Sequence, residues 1–447
     1  MKKKDTELVF LDSLLHKKKI FNLPKNKDLP ISIYACGITP YSDAHIGHAR
    51  SYVIFDLLSN LFISLGYKVN LVRNITDIDD KIINEAEKSK VNWFELSDFY
   101  AEKTRKLMLE TGLSIPFEPK ASDYLSDIFQ LIKKLIDLNI AYISNGDVLY
   151  RVKSYKGSLL INHKQGFLKS ENGLARVDYS HKEDARDFVL WKSMPENEVG
   201  FNSIWGWGRP GWHIECSAMI GSIFNGHVDI HGGGMDLKFP HHQAEIMQSE
   251  PIWGKPLAKI WMHNGSVLSN GIKMSKSLGN YITWYDALII TEKIQLGYGG
   301  DILKLSLLGT LWQKPLDWSD SILDEGFELF KLISLGFDKE IIRDEINHAK
   351  KIVIEILSDN LNTPKLFSLL KSKKNSSDFN SLAQAIGEVL KLKVNKNVIN
   401  DESDLSTEVL NLIKRREDAR KEKNWILSDK LRNELLELGI IQKDKTI

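Results

Sequence analysis

Residues 31–72, ISIYACGITPYSDAHIGHARSYVIFDLLSNLFISLGYKVNLV, decide the fold. Ile31 to Cys36 reads as a short buried strand, and Gly37 to His45 as a loop of turn-forming residues. Beyond the loop, Ala49, Val53, Leu57 and Leu61 recur at helical spacing, and Leu58, Phe62 and Leu65 widen the apolar face. Gly66 stands where a helix C-terminal cap belongs, and Tyr67 to Val72 reads as the next strand. Strand, helix and strand in so short a span make a βαβ unit, hence two parallel strands in one sheet.

The same texture returns further along. Residues 227–231, HVDIH, read as a strand, Gly232-Gly233-Gly234 as a loop, Phe239 to Glu250 as a helix, and KIWMH, ending at His263, as another strand. Between the two α/β portions, residues 124–142 look helical. Residues 147–191 mix short β-like pieces (DVLYRV, FVLW) with a charged loop (HKEDAR), the mark of an insertion. Residues 204–212, IWGWGRPGW, are too rich in glycine, proline and tryptophan for a regular element, and after residue 320 the chain is mainly helical.

A chain of 447 residues with 43% hydrophobic content has room for about three domains and a large core. The net charge of +1 gives no general attraction to a polyanion, so any nucleic-acid surface must be local. From Leu412 to Arg432 eight Lys/Arg stand against four Asp/Glu, a run that by itself reads as a solvated helix face. The two cysteines, Cys36 and Cys216, form no disulfide framework and suit a reducing compartment. The opening MKKKDTELVF has no apolar stretch behind its charges, and no run of about 18 apolar residues follows anywhere. A cytoplasmic protein without a membrane partner is expected, and a monomer, since no coiled-coil pattern appears.

Four groups of residues carry chemistry. His45-Ile46-Gly47-His48 opens a helix after a strand, where unpaired N–H groups and partial positive charge suit a phosphate; taken alone, the four residues read rather as a cap, His45, and an exposed helix residue, His48. Gly271 to Ser277, GIKMSKS, sets Lys273 and Lys276 in a loop, where mobile point charges suit a triphosphate or merely keep a surface soluble. Cys36, Cys216, His241 and Glu245 make a sound zinc set, His241 and Glu245 sharing one helix face, with His231 and His242 competing as ligands. Lone cysteines, however, are more often small buried residues. Trp205, Trp207 and Trp212 line a pocket or pack a core.

Together these segments resemble the class I aminoacyl-tRNA synthetases, and among them the cysteinyl-tRNA synthetases. The resemblance runs from about Asn22 to Ile440. It rests on HIGH at 45–48 and KMSKS at 273–277, and more specifically on AHIGHARSYVIFD, RNITDIDDKI, DFVLWK, GRPGWHIECSAM, DIHGGG and FPHH. It implies an α/β Rossmann-type catalytic domain, with a parallel sheet and a connective insertion, followed by α-helical C-terminal domains. The implied division is 1–124 and 204–262 for the catalytic halves, 125–203 for the insertion and 263–325 for a stem-contact region with the KMSKS loop. A helical bundle over 326–400 and a small anticodon-binding domain over 401–447 complete it.

The resemblance further implies a cysteine–tRNA ligase acting on ATP, L-cysteine and tRNA(Cys), with one Zn²⁺ per chain and Mg²⁺ arriving with ATP. The metal would be held by Cys36, Cys216, His241 and Glu245, and cysteine by Cys36, Thr76, Trp212 and His231. His45, Gly47, His48, Gly232, Gly233, Gly234, Asp236, Lys273 and Lys276 would bind ATP, with the two histidines and two lysines catalytic; Asp229 is a further adenosine candidate. No editing domain is expected. Two other readings compete: a cysteine ligase acting on an amino sugar, which lacks the anticodon domain, and a non-catalytic tRNA- or nucleotide-binding relative. The chain departs from the usual family pattern at CGITPYSD (36–43), QAEIMQS (243–249), LSLLGTLWQKPLDW (305–318) and its last residues.

Overall fold

The computed structural model describes residues 7–161, 181–274 and 279–394, with scattered residues between 411 and 434. Its centre is a four-stranded sheet in the order Ala258–Asn264, Val228–Gly234, Ile31–Ala35, Val69–Val72, every pairing parallel. The predicted strands are therefore present, and the outer one begins at Val69 rather than Tyr67. Gly66 ends the intervening helix as expected, with φ of 86° and its N–H donated to the Ile63 carbonyl at 2.9 Å.

That helix, Ile46–Ser64, is not the one-faced element that the periodicity suggests. Arg50, Ser51, Asp56, Ser59 and Asn60 are buried along with the apolar face. The reason is its position: one side packs on the parallel sheet and the other on the helices after residue 284. Several of its buried polar groups are partnered accordingly. Asp56 accepts from the Asn60 amide at 2.9 Å and the Ser114 N–H at 3.0 Å, and Ser59 donates to the Phe55 carbonyl at 2.9 Å.

Two glycine-rich stretches expected to be irregular are strands. Gly232, Gly233 and Gly234 continue the strand Val228–Gly234, in register with Met262, His263 and Asn264. Gly206–Pro210 is a strand between Phe188–Ser193 and Phe201–Ser203 in an antiparallel five-stranded sheet that also holds Ala141–Ser144 and Asp147–Tyr150. Glycine composition argues against strands because glycine has no side chain to pack. Here neighbours occupy the missing space: a Cβ on Gly208 would lie 2.6 Å from the Trp191 ring nitrogen. This sheet thus runs past residue 203, the expected end of the insertion, and Arg209 and Lys192 both pair with Asp80 at the start of the helix Asp80–Ser89.

The outer edge of the parallel sheet is covered. The hairpin Leu8–Asp12 with Lys17–Phe21 lies beside the strand Ala258–Asn264. Ser13 N–H donates to the Trp261 carbonyl at 2.9 Å, and the buried Asp12 carboxylate accepts from Trp261 N–H at 3.2 Å and from Leu14 and Leu15 N–H at 2.9 and 2.7 Å. A small sheet, Ile272–Lys273, Val267–Ser269 and Leu316–Trp318, leads into helices from Asp320 to Leu390. Among the described residues no helix is long and apolar enough to cross a membrane. Asp12→Ala leaves three N–H groups without their acceptor, each worth about 1–3 kcal/mol if it stays dry. Thermal unfolding should show a midpoint several degrees lower, and an unchanged midpoint would mean that the edge contact contributes nothing.

Candidate active site and metal centre

The parallel register brings the predicted ligands together. Tyr34 lies opposite His231 and Ala35 opposite Gly232, and the next residue, Cys36, donates its N–H to the Gly232 carbonyl at 3.0 Å. Cys36 thus stands at the C-terminal edge of the sheet, where open α/β sheets bind ligands. The helix Trp212–Phe224 contributes Cys216, and the helix His241–Trp253 contributes His241, His242 and Glu245. All of these, with His231, are buried.

Two overlapping sets can hold an ion: Cys36, Cys216, His241, Glu245 and Cys36, His231, His242, Glu245, each with its ligand atoms within 4.8 Å of one another. Hydrogen bonding separates them. His231 Nδ1 faces the Tyr34 carbonyl at 2.9 Å and must donate there, while Nε2 lies 2.7 Å from Glu245 Oε2. Both ring nitrogens are engaged, so ligation through His231 would break its pairing with Glu245. His242 is engaged likewise, between His263 Nε2 at 2.6 Å and Cys36 Sγ at 3.2 Å.

The first set keeps those contacts. Its gaps are 3.8 Å between the two Sγ atoms, 3.7 Å from Cys36 Sγ to Glu245 Oε1, and 3.0 Å from His241 Nε2 to the same oxygen. A tetrahedral ion about 2.3 Å from sulfur and about 2.0 Å from nitrogen and oxygen has edges of about 3.8 Å between sulfurs and roughly 3.3 Å between nitrogen and oxygen. Two thiols, an imidazole and a carboxylate therefore fit a borderline-soft cation in type and spacing. Behind them His231 aims Glu245, and His213 Nδ1, 3.0 Å from His241 Nδ1, accepts a hydrogen bond from His241 Nδ1–H in the tautomer that leaves Nε2 for a metal.

Burial sets the protonation of this cluster. It pushes the Cys36 thiol well above its ordinary value, aided by Cys216 and Glu245, and holds His241, His242 and His263 well below theirs. His213 falls to about 4 for the same reason. The imidazoles are thus neutral and ready to ligate, whereas Cys36 must first lose a proton.

The second centre is the start of the helix Ile46–Ser64. His45 is its N-cap and forms a reciprocal box with His48: His48 N–H donates to His45 Nδ1, and His45 N–H to His48 Nδ1, both at 3.2 Å. The rings stack at 3.7 Å with 11° between planes. His48 is half-buried rather than the exposed residue of the simpler reading, and burial, then His45 and Arg73, holds it well below the ordinary histidine value. With each Nδ1 spent as an acceptor, a neutral ring carries its proton on Nε2. Gly47 sits half-buried beside the pair. Arg73 spans the two centres: its guanidinium lies 3.7 Å from the Tyr52 ring and donates to the Cys36 carbonyl at 3.4 Å.

The remaining residues take these places. Thr76 is buried and accepts from the Asn74 amide at 3.1 Å, while Asn74 also accepts from Gly37 N–H, bracing the loop after Cys36. Trp212 is half-buried and stacks on His241 at 4.4 Å. Gly232 and Gly233 are buried within the protein, and a Cβ on Gly232 would meet the Met262 carbonyl oxygen at 1.8 Å. The close approach there is to the neighbouring strand. Gly234 is half-buried and Asp236 exposed on the following turn. Asp229 is a correction: it lies at the opposite end of its strand, bound to Ser32 N–H and Oγ at 2.8 and 2.9 Å and to Lys259 at 2.6 Å, and is spent on cross-strand contacts. Lys273 ends the strand Ile272–Lys273, where only its backbone is described, and Lys276 lies outside the described residues. His213 and His263 were not singled out from sequence, although one neighbours Trp212 and the other ends a core strand at the ligand-binding edge.

Comparison with known proteins shows the family. Residues 22–328 match the family model for tRNA synthetases class I (C) catalytic domain, and residues 402–446 that for the cysteinyl-tRNA ligase anticodon binding domain. The chain is 38% identical to the cysteine–tRNA ligase of Fusobacterium nucleatum, over 94% of each chain. It is 37% identical to that of Coxiella burnetii strain Dugway 5J108-111, over 96% of this chain and 98% of the relative. Among solved structures it is similar in fold to Mycobacterium tuberculosis methionyl-tRNA synthetase in complex with methionyl-adenylate, with a TM-score of 0.55 at 13% identity, covering 81% of this chain and 89% of the other. A leucyl-tRNA synthetase from Agrobacterium radiobacter, in a ternary complex, gives a TM-score of 0.55 at 11% identity, covering 82% and 83%.

The two ligand sets make opposite predictions. Cys216→Ala should lose stoichiometric divalent metal on dialysis, while His242→Ala should retain it; elemental analysis of both decides, and the reverse pattern would move the site to His231 and His242. Because binding must expel the Cys36 thiol proton, metal affinity in a chelator competition should tighten by about tenfold per pH unit for each proton released.

Proposed function

The chain belongs to the cysteine–tRNA ligases, with a class I catalytic domain, and from that premise we propose how its residues divide the work. The enzyme joins L-cysteine to tRNA in two steps. The cysteine carboxylate attacks the α-phosphorus of ATP, giving cysteinyl adenylate and pyrophosphate. The terminal adenosine of tRNA(Cys) then attacks the carbonyl and releases AMP. The match of residues 402–446 to an anticodon-binding domain supports tRNA over an amino sugar as acceptor.

His45 and His48 are assigned to the phosphates. Their Nδ1 atoms accept from the backbone at the helix start, which turns the Nε2–H edge of each neutral ring toward the phosphates, and burial keeps His48 neutral before ATP arrives. Gly47 keeps the helix start open to the nucleotide, and Lys273 and Lys276 neutralise charge building on the departing pyrophosphate. Gly232 to Gly234 and Asp236 border the adenosine. Mg²⁺ comes with ATP, bound through the phosphates.

Cys36, Cys216, His241 and Glu245 are assigned as the ligands of one Zn²⁺, and the convergence of these four at the sheet edge is the observation that carries the reading. A zinc ion there would bind the substrate thiolate and lower its proton affinity, which an alcohol of nearly the same size does not match. Around it Trp212 stacks on His241 and closes one wall, Thr76 and Asn74 fix the loop after Cys36, and His231 keeps Glu245 turned inward. Serine is thus rejected at binding.

ATP–pyrophosphate exchange tests this. Exchange should occur with cysteine and not serine, vanish on chelation and return with zinc; exchange that survives full removal of metal would refute the metal's role. Cys216→Ser should lower zinc content and cysteine activation together, and full occupancy with normal kinetics would remove Cys216 from the ligand set.

A further inference from the structure

Arg50 is fully buried in the helix Ile46–Ser64 and has no carboxylate partner among the described residues. Its guanidinium donates only to backbone carbonyls: Gly265 at 2.8 Å, Ser266 at 3.4 Å and Leu311 at 3.3 Å. Burial alone holds it down to about 10. A charge buried without a counter-ion is costly, and an apolar side chain of similar length would fill the space without that cost. What the guanidinium adds is a fixed fork that grips several acceptors at once.

Those acceptors have one thing in common. Gly265 and Ser266 are the residues by which the chain leaves the core strand Ala258–Asn264 and enters the strand Val267–Ser269, whose antiparallel partner is Ile272–Lys273. Leu311 precedes the strand Leu316–Trp318 that flanks the same hairpin. The hairpin's exit is tied to the same helix start: Ile46 N–H donates to the Ile282 carbonyl at 3.1 Å, Trp284 N–H to the Ala44 carbonyl at 2.7 Å, and the Tyr281 hydroxyl to the Asp43 carbonyl at 2.9 Å. Arg50 is five residues beyond His45, about 7.5 Å along the helix.

We propose that Arg50 is a positioning residue for the adenylation step, fixing the root of the hairpin that carries Lys273 against the helix that carries His45 and His48. The inference rests on the assignment of Lys273 to the phosphates. It makes Arg50 act through that lysine: displacement of the hairpin root by about 1 Å is enough to cost a large factor in the chemical step while leaving the cysteine site untouched.

The test is ATP–pyrophosphate exchange in the zinc-loaded full chain for Arg50→Lys, Lys273→Ala and the double variant, with Tyr281→Phe as a milder release of the hairpin's other root. Arg50→Lys should lower kcat about tenfold or more with unchanged zinc content, unchanged KM for cysteine and a near-native thermal midpoint. Its effect should disappear in the Lys273→Ala background, and Tyr281→Phe should show the same pattern at smaller amplitude. Normal kcat in a folded Arg50→Lys enzyme, or defects that multiply in the double variant, would overturn the proposal and leave Arg50 a structural residue. If Arg50→Lys does not fold, a Tyr281→Phe defect that multiplies with Lys273→Ala overturns it equally. A Lys273→Ala enzyme with normal exchange would overturn the assignment of the lysine, and the role of Arg50 with it.

Discussion

The pairing of Ile31–Ala35 with Val228–Gly234 is the contact on which the rest depends. These strands are far apart in sequence and bring no ligand to the site by local geometry. Their parallel register puts Cys36 beside Gly232 and sets His231 behind Glu245. A slip of one residue would turn Tyr34 and His231 to the other face of the sheet. Gly232 lets the neighbouring strand and the phenyl ring of Phe55 approach at that end of the sheet, and Gly233 leaves room for the Leu237 side chain. The chemistry of the site is therefore a consequence of sheet packing, and the buried cysteine, histidine and glutamate cluster is its visible edge.

The buried centre is unusual in its chemistry. Histidines 213, 231, 241, 242 and 263 stand in mutual contact with two tryptophans, Trp212 and Trp261. Burial keeps most of these rings neutral, which makes them proton donors or acceptors according to tautomer rather than fixed charges. Each ring's tautomer is set by its neighbour, so the orientation of Glu245 is decided two residues deep. The pair at 45 and 48 follows the same logic at a helix start, where backbone N–H groups fix the tautomers.

Much of this was legible in the sequence, and what was missed has a common cause. The βαβ unit, the cap at Gly66 and the shared face of His241 and Glu245 are local patterns, and local geometry delivers them. The meeting of Cys36 and Cys216 is not local, and only the resemblance to a known family pointed to it before the structure did. Gly232 to Gly234 and Gly206 to Pro210 were misread as irregular because glycine's poor packing was weighed without the side chains that fill its place. Asp229 was misplaced because strand direction, which separates the ends of Val228–Gly234, cannot be read from composition. The one-faced reading of Ile46–Ser64 failed because the second surface it packs against comes from helices more than 200 residues later.

The covered edge of the parallel sheet also bears on how the chain folds. The hairpin at residues 8–21 is synthesised long before the strand it docks against, which ends only at Asn264. During synthesis it must wait for most of the catalytic domain to emerge, so the sheet closes late and by contacts of long sequence separation. Until then Ala258–Asn264 presents an open row of backbone donors and acceptors, the kind of edge that invites pairing with another chain. The hairpin acts as an intramolecular cover for that edge, a safeguard against misassembly built from residues distant in sequence.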